Sequence, residues 1–146
     1  MTKKIIYVLI LVILGIGSMD AQNWLTDISQ AKELAKEKNQ SIILVFQGSD
    51  WCAPCMKLER EVWSTEEFKG YASENYVLLK ADFPKKRKNL LDVVQQKKNN
   101  ELAETYNTDG YFPLVVVLDH TGKVLGKTGY EKLPAIQFID KLNSFK

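Results

Sequence analysis

The chain has 146 residues, a formal net charge of +2 and two cysteines. This length is enough for one domain of ordinary size with its own hydrophobic core. The nearly balanced charge argues neither for nucleic acid nor for strongly acidic partners. Because no internal repeat and no linker rich in Pro, Gly or Ser divides the chain, we expect a single domain.

The N-terminus has the pattern of a secretory signal peptide. A start carrying two lysines precedes an apolar run over residues 5–16, which is shorter than the ~20 residues that span a bilayer. We predict that residues 1–21 are removed by cleavage after Ala21, leaving a domain over residues 22–146. Export places it in the periplasm or outside the cell, where disulfides form and persist. An uncleaved membrane anchor is the alternative, and only that form is expected to contact the membrane.

The first half of the domain predicts a helix, a strand and a second helix. Apolar residues at helical spacing predict an amphipathic helix over residues 28–39. The continuous apolar run over residues 41–47 predicts a central strand in a sheet that is covered on both faces. A turn over residues 48–50 follows. The next helix carries on one face Cys55, Leu58 and Val62.

The middle of the domain continues the alternation of helix and strand. Residues 64–67 match a capping box, which predicts a new helix start, and residues 76–81 predict the next strand. Residues 84–100 are polar and basic, so we expect a solvated loop with a helical turn. A surface that steers a partner or touches anionic lipid is the functional alternative. Residues 101–106 predict helix. A short apolar face within the basic segment consists of Leu90, Val93 and Val94.

The last third predicts two strands and a helix. Residues 114–118 are β-branched and predict a strand, and turn residues then lead to an edge strand over residues 123–127. Pro134 suits the first position of a last helix. The predicted order is α-β-α-β-α-β-β-α, which indicates an α/β fold. The inward face of the last helix is expected to carry Ala135, Phe138, Ile139 and Leu142.

Both cysteines lie in one short run, Trp51-Cys52-Ala53-Pro54-Cys55, between the predicted central strand and the following helix. A thiol pair at this spacing can close and reopen a disulfide without large backbone movement. A thiol at a helix N-terminus meets unpaired N–H groups and the positive end of the macrodipole, which favour the thiolate. In this strand–helix context the pair predicts a thiol–disulfide redox site.

Three other kinds of site share the Cys-x-x-Cys spacing. Structural zinc takes about four ligands, usually Cys or His, and beyond the pair the sequence offers only His120. Covalent haem attachment needs His directly after the second cysteine, where this chain has Met56. A static disulfide would close too short a loop to constrain the unfolded chain much, and it leaves Pro54 unexplained. We therefore expect neither a metal nor a cofactor.

The element order and three sequence features resemble the thioredoxin-like family, in particular its small exported members in Gram-negative bacteria. The features are the cysteine run, Phe112-Pro113 at the start of a strand, and the terminal β-β-α segment; the resemblance covers residues 24–146. It implies a thioredoxin fold with a central mixed β-sheet flanked by helices on both faces. It also implies that the bond before Pro113 is cis and that this proline faces the cysteine pair.

The chain departs from thioredoxins proper at three places. Phe46 stands six residues before Cys52, where thioredoxins carry a buried aspartate that is thought to relay protons for the second cysteine. Ala53 and Pro54 replace Gly-Pro between the cysteines, and Leu114 follows the proline where threonine is usual. The first two departures bear on the redox potential, and the third bears on substrate contacts.

The order of the two cysteines at a helix start predicts their roles. Cys52 is expected to be exposed and to be the attacking thiolate, and Cys55, a turn further in, is expected to resolve the mixed disulfide. Ala53 and Pro54 support the motif, because Pro restrains the first helical turn and suits a helix start.

Residues around the motif are candidates for contact with client proteins. Phe112 and Pro113 are expected to offer backbone to an extended client segment, as in strand addition. Packing is the alternative for the side chains of Phe112 and of Trp51, which is expected at the rim. Asp50 is a candidate acid or base, although a solvated turn carboxylate is the simpler interpretation, and His120 is expected in a surface turn.

These features predict an exported thiol–disulfide oxidoreductase, working as a reductase, that exchanges disulfides with client proteins through Cys52 and Cys55. Its partners are clients carrying disulfides or thiols and a redox partner that the sequence does not identify; nucleic acid is not expected. A thioredoxin-like binding or folding-assistance module, without redox turnover as its main role, is the alternative function.

Overall fold

The computed structural model describes residues 22–146, so the predicted signal peptide lies outside the described part of the chain. The strands are β1 Trp24–Leu25, β2 Ser41–Gln47, β3 Tyr76–Asp82, β4 Leu114–Leu118 and β5 Val124–Thr128. The helices are α1 Ile28–Lys38, α2 Ala53–Leu58, α3 Glu66–Asn75, α4 Val93–Tyr106 and α5 Ala135–Asn143. A π-helical turn, Glu59–Trp63, continues α2, and a 3₁₀ turn spans Arg87–Asn89.

The five strands form one mixed sheet in the order β1-β3-β2-β4-β5. β1 and β2 run parallel to β3, whereas β4 runs antiparallel to both β2 and β5. β2 is therefore central, and it ends at residues 48–55, which carry both cysteines and which we call the redox turn. Its side chains alternate between two separate hydrophobic cores, because successive residues of a strand point to opposite faces.

Helices cover both faces of this sheet. The core that contains Val45 packs against α2, the π-helical turn, α3 and α5, with Leu58 and Trp63 fully or almost fully buried. The core that contains Phe46 packs against α1 and α4 through Ala35 and Leu102. The predicted α/β class, with a central mixed sheet and helices on both faces, is confirmed.

Several elements differ from the sequence prediction, α5 among them, since Pro134 is its N-cap and not its first residue. β1 was not predicted, because its two residues are too short to show a periodic pattern. The edge strand β5 begins at Val124 rather than at 123. α4 begins at Val93 rather than at 101, where the Asp92 side chain accepts the N–H of Gln95 at 2.8 Å.

The early start of α4 was hidden because its inward side is partly polar. Asn99 is 1% exposed and donates to the backbone oxygen of Asp82 at 2.9 Å, and it accepts from the Gln95 side chain. Val93 and Val94, expected to form an apolar face, are instead exposed. Hydrophobic periodicity does not reveal a helix at a position where a buried amide side chain, and not an apolar one, faces inward.

Candidate redox site

The turn that carries the cysteines is fixed by close contacts of Trp51. A Cβ at Gly48 would overlap the indole ring of Trp51, so this position requires glycine. The oxygen of Gly48 accepts the N–H of Cys52 at 2.9 Å, and the indole Nε1 donates to the backbone oxygen of Phe83 at 2.7 Å. The turn is thus held by its own backbone and by the chain that follows β3.

Cys52 is the N-cap residue of α2. Its Sγ accepts the N–H of Cys55 at 3.3 Å, and Pro54 lies in the first turn of the helix. Hydrogen bonding to a charged form favours that form, and the end of a helix contributes typically ~0.3–1 kcal/mol. One pKa unit is about 1.36 kcal/mol. The helix start and this N–H therefore both favour a thiolate at Cys52 over one at Cys55.

The two cysteines form a disulfide with Cα atoms 5.2 Å apart. The expectation that Cys52 is exposed is wrong for this oxidised form, since Cys52 and Cys55 are each 4% exposed. The reason is that the Cys52 sulfur is bonded to the sulfur of the buried Cys55 and also accepts a hydrogen bond from the Cys55 N–H. The large side chain of Trp51 is 37% exposed, and its neighbours Ala53 and Pro54 are exposed as well.

An aromatic rim joins the redox turn to the segment before β4. The ring of Phe112 lies 5.4 Å from that of Trp51 and 5.4 Å from that of Phe83, edge to face in both cases. Such pairs are worth about 0.5–1.5 kcal/mol beyond their buried area. The structure thus brings Trp51 and Phe112, both predicted from the sequence, into one contact.

The Phe112-Pro113 bond is cis, as the resemblance implied. Pro113 and Pro54 line one groove of about 610 Å³, which we call the client groove. Asn107, 5% exposed, holds its edge by pairing both side-chain amide atoms with the backbone of Tyr111 at 2.8 and 2.9 Å. The side chains that line the groove include Pro54, Tyr106, Tyr111, Phe112, Pro113 and Tyr130.

Two tyrosines of this groove had no functional interpretation from the sequence. Tyr111 is 64% exposed, which leaves its ring available to a client. Tyr130 donates its hydroxyl to Glu61 at 2.6 Å, and this hydrogen bond raises the pKa of Tyr130. The Tyr130 hydroxyl therefore stays protonated at neutral pH. The only local signal was an aromatic residue next to Phe112-Pro113, which did not distinguish a client contact from packing.

A second cavity, of about 410 Å³, is lined in part by Cys55, whereas the client groove reaches the motif through Pro54; we call this second cavity the proton cavity. Cys55, Gln47, Ser49, Glu59 and Lys80 are among its lining residues. The Lys80 Nζ lies 3.9 Å from Glu59 Oε2, and the Ser64 hydroxyl donates to Glu59 Oε1 at 3.2 Å. Sequence reasoning missed Glu59 and Lys80. The available signal was that Glu59 stands four residues after Cys55, which is one helical turn.

Phe46, six residues before Cys52, is a residue of the central strand β2. It is fully buried in the core on the α1 and α4 face and stacks on Phe83 at 6.5 Å. The residues of β2 on the other face are Val45, packed beneath α2, and Gln47, in the proton cavity. Phe46 and the proton cavity thus lie on opposite faces of β2, because strand side chains alternate.

Asp50 is an anchor for the next segment of the chain. Its carboxylate accepts the N–H groups of Lys85 and Lys86, each at 2.9 Å, and the side-chain amide of Asn89 at 3.0 Å. The N–H of Lys85 and then the Asn89 amide lower the pKa of Asp50. Asp50 therefore stays ionised near neutral pH, with its two oxygens accepting three hydrogen bonds.

Within residues 22–146 no group of His, Cys, Asp and Glu is placed to hold a metal ion. In the same range, none of the helices has both the length and the apolar character needed to cross a bilayer. His120 lies in the surface turn after β4 and is exposed, as expected.

Comparisons with known proteins agree with this geometry. A model of the thioredoxin-like family matches residues 23–120. The disulfide bond reductase DsbH of Chlamydia pneumoniae is 34% identical over 116 residues, which cover 80% of this chain and 68% of that protein. A solved structure described as DsbH oxidoreductase has a TM-score of 0.77 at 32% identity, over 84% of this chain and 83% of that one.

More distant structures share the fold alone. A thioredoxin from Thermus thermophilus is 17% identical and has a TM-score of 0.62, over 85% of this chain and 87% of that one. Together with the family match, this likeness confirms the thioredoxin fold that the sequence predicted.

Proposed function

The chain belongs to the thioredoxin-like family and is a thiol–disulfide oxidoreductase, and from this premise we propose that it is an exported reductase of client disulfides. Cys52 is the attacking thiol and Cys55 the resolving thiol. The observation that carries the proposal is the disulfide at the start of α2, in which Cys52 Sγ already accepts the N–H of Cys55.

Reduction of a client proceeds in two exchanges. The Cys52 thiolate attacks one sulfur of the client disulfide, which breaks that bond and releases one client thiolate. The Cys55 thiolate then attacks the Cys52 sulfur, displaces the second client thiolate and closes the Cys52–Cys55 disulfide. Two electrons pass from the enzyme dithiol to the client, and an external dithiol partner must then return them.

The second exchange needs a proton acceptor for Cys55. Among the residues that line the proton cavity with Cys55, Glu59 carries the only carboxylate. Lys80, 3.9 Å from Glu59, offsets its charge when it is ionised. We assign the Cys55 proton to Glu59, so that the thiolate forms as the mixed disulfide is resolved.

The client groove positions the client for the first exchange. An extended segment can lie against Tyr111, Phe112 and Pro113, next to Pro54 of the redox turn. Apolar and aromatic walls contribute contact area that is independent of the client sequence, while backbone groups supply hydrogen bonds. Trp51 extends this surface at the rim through its contact with Phe112.

The direction of exchange is proposed from the likeness to the disulfide bond reductase DsbH. We expect a reduction potential of roughly −200 to −270 mV, on the side of thioredoxin rather than of a strong oxidant near −120 mV. Equilibration with glutathione buffers and quantification of the Cys52–Cys55 disulfide measures it. A value near that of the strong oxidant would overturn the reductase assignment while leaving the exchange chemistry intact.

Turnover itself is tested with insulin as a protein disulfide and a chemical reductant as electron source. The wild-type protein should accelerate insulin reduction, and a variant with Cys52→Ser and Cys55→Ser should not. If the double variant kept the cellular phenotype and client binding of the wild type, the binding-module alternative would replace the proposed function.

Export rests on residues 1–21, which have the signal-peptide pattern. Mass spectrometry of the protein from its native cell should give a mature chain that begins at Gln22. An intact N-terminus recovered with membranes would favour the anchored form instead.

A further inference from the structure

The basic insertion, defined as residues 84–100, carries a charge opposite to that of the rest of the domain. It holds six cationic residues and one aspartate, a formal charge of +5. The remainder of residues 22–146 holds twelve cationic and sixteen acidic residues, a formal charge of −4. The near-neutral total thus hides two surfaces of opposite sign.

The cations of this insertion fall into two groups. Lys98 pairs with Asp27 at 2.6 Å, and Lys97 lies 3.9 Å from Glu101. The four consecutive cations, residues 85–88, are exposed and make no salt bridge within residues 22–146. Their charge is therefore available to a partner.

Residues 85–88 are held next to the cysteines by contacts with Asp50 and Trp51. Asp50, two residues before Cys52, accepts the backbone N–H groups of Lys85 and Lys86. The Lys85 ammonium also lies 3.9 Å from the centre of the Trp51 ring. A partner therefore meets charges that are already positioned, which lowers the entropic cost of binding.

We propose that the basic insertion selects client disulfides that are flanked by acidic residues. This inference rests on the proposed function and names its substrate class. The hydrogen bonds from Lys85 and Lys86 to Asp50 hold the cations next to the redox turn, where a client cystine must bind. For this reason we prefer a client segment over a lipid surface as the partner. The exposed Leu90, Val93 and Val94 add apolar contact beside them. Complementary charge raises mainly the association rate and the discrimination between partners.

The test compares three cystine peptides of equal length, whose cystine is flanked by Glu, Gln or Lys. The wild-type domain, recharged by excess chemical reductant, should reduce the Glu peptide with a kcat/KM about tenfold above that of the Gln peptide at low salt. The Lys peptide should be slower than the Gln peptide. The preference should shrink in 0.5 M salt, since a Debye length near 10 Å at 0.1 M shortens further.

The diagnostic variant replaces Lys86, Arg87 and Lys88 by Gln and leaves Lys85 on Trp51. A matched control replaces three exposed cations elsewhere, Lys36, Lys38 and Lys132, by Gln. The first variant should lose most of the preference for the Glu peptide, and the control should keep it. Equal rates for the three peptides in the wild type, or an equal loss in both variants, would overturn the inference.

Binding is measured separately from turnover. In a Cys52→Ser, Cys55→Ser protein, Trp51 fluorescence should respond to a Glu peptide at lower concentrations than to a Gln peptide. That preference, together with no reduction of any peptide by the wild-type domain, would refute the proposed function and keep the docking surface. If the triple variant instead lost binding to anionic phosphatidylglycerol vesicles and kept the peptide preference, the surface would be a lipid site and the inference would be wrong.

Discussion

Two cavities touch the redox turn, and they differ in chemistry. The client groove lies toward β4 and β5, and its walls include prolines and aromatic rings next to Pro54, together with Asp109 and Lys127. The proton cavity lies toward β2 and β3 and contains the Glu59–Lys80 pair next to Cys55. The first offers contact area and backbone, whereas the second offers groups that exchange protons.

This difference separates two tasks that the same pair of sulfurs must perform. In the proposed function, a client is held in place while Cys52 reacts, and a proton leaves Cys55 before the client is released. Substitutions in the client groove should therefore change rates according to the client, and substitutions in the proton cavity should change rates according to pH. The predictions below test this separation.

The largest effects are expected at the sulfurs themselves. Cys52→Ser should reduce exchange by at least about a thousandfold, because it removes the nucleophile. Cys55→Ser should instead accumulate mixed disulfides with clients, since the resolving thiol is missing. Non-reducing gels and mass spectrometry of trapped adducts measure both. Equal trapping by the two variants, together with equal alkylation of the two thiols at ordinary pKa values, would contradict the assigned roles.

Tyr111→Ala should test the client groove. Loss of an exposed aromatic contact of ~1–2 kcal/mol corresponds to about tenfold in kcat/KM for a protein disulfide. The rate with a small, uncharged disulfide reagent should change less than twofold, because such a reagent does not occupy the groove. Ile136→Ala, at an exposed position of α5, is the matched control and should change neither rate. Equal losses with protein and reagent would argue that Tyr111 supports the fold.

Glu59→Gln should test the proton cavity. Resolution of a preformed mixed disulfide should slow by about fivefold at pH 7, and the difference should close above the ordinary thiol pKa of about 8.5. Stopped-flow release of a fluorescent thiol from Cys52 gives this step directly. The control is Glu66→Gln, whose carboxylate lies in an exposed pair with Lys69. A slowing that stays constant from pH 6 to 9 would indicate a structural role.

Local patterns in the sequence were sufficient for most of the fold. The apolar run of β2 and the spacing of Phe138 and Leu142 in α5 each reflect burial on a defined face, so periodicity identified them. The start of α4 was missed because Asn99 takes an inward position through hydrogen bonds. Polar burial leaves no hydrophobic signal.

The residues of the site also fall into those that the sequence revealed and those that it did not. The cysteine run and Phe112-Pro113 are local motifs, and both were identified. Glu59 and Lys80 meet only through the parallel register that sets Val45 opposite Lys80, which the sequence does not display. The partners of Asp50 lie 35 to 39 residues further along the chain. Contacts of this separation follow from the assembled sheet, so spacing within a motif cannot reveal them.

The smallest effect concerns the anchor of the basic insertion. Because the N–H of Lys85 and the Asn89 amide lower the pKa of Asp50 in the folded protein, its contribution to stability is complete above the unfolded value of about 3.9. The contribution is lost as the pH falls through the lower folded pKa. Asp50→Asn should therefore lower the unfolding midpoint slightly at pH 7 and make it less sensitive to acid below pH 4.

Thermal unfolding of both proteins from pH 7 to pH 2.5 measures this difference, and Asp140→Asn, at an exposed position of α5, is the control. Amide hydrogen exchange should locate the change, since the N–H groups of Lys85 and Lys86 lose their acceptor and should exchange faster. The preference for Glu peptides should weaken as well, because the cations are no longer held beside Trp51. If the two amides kept their protection in Asp50→Asn, the insertion would be held by other contacts, and the Asp50 anchor would not position its charge.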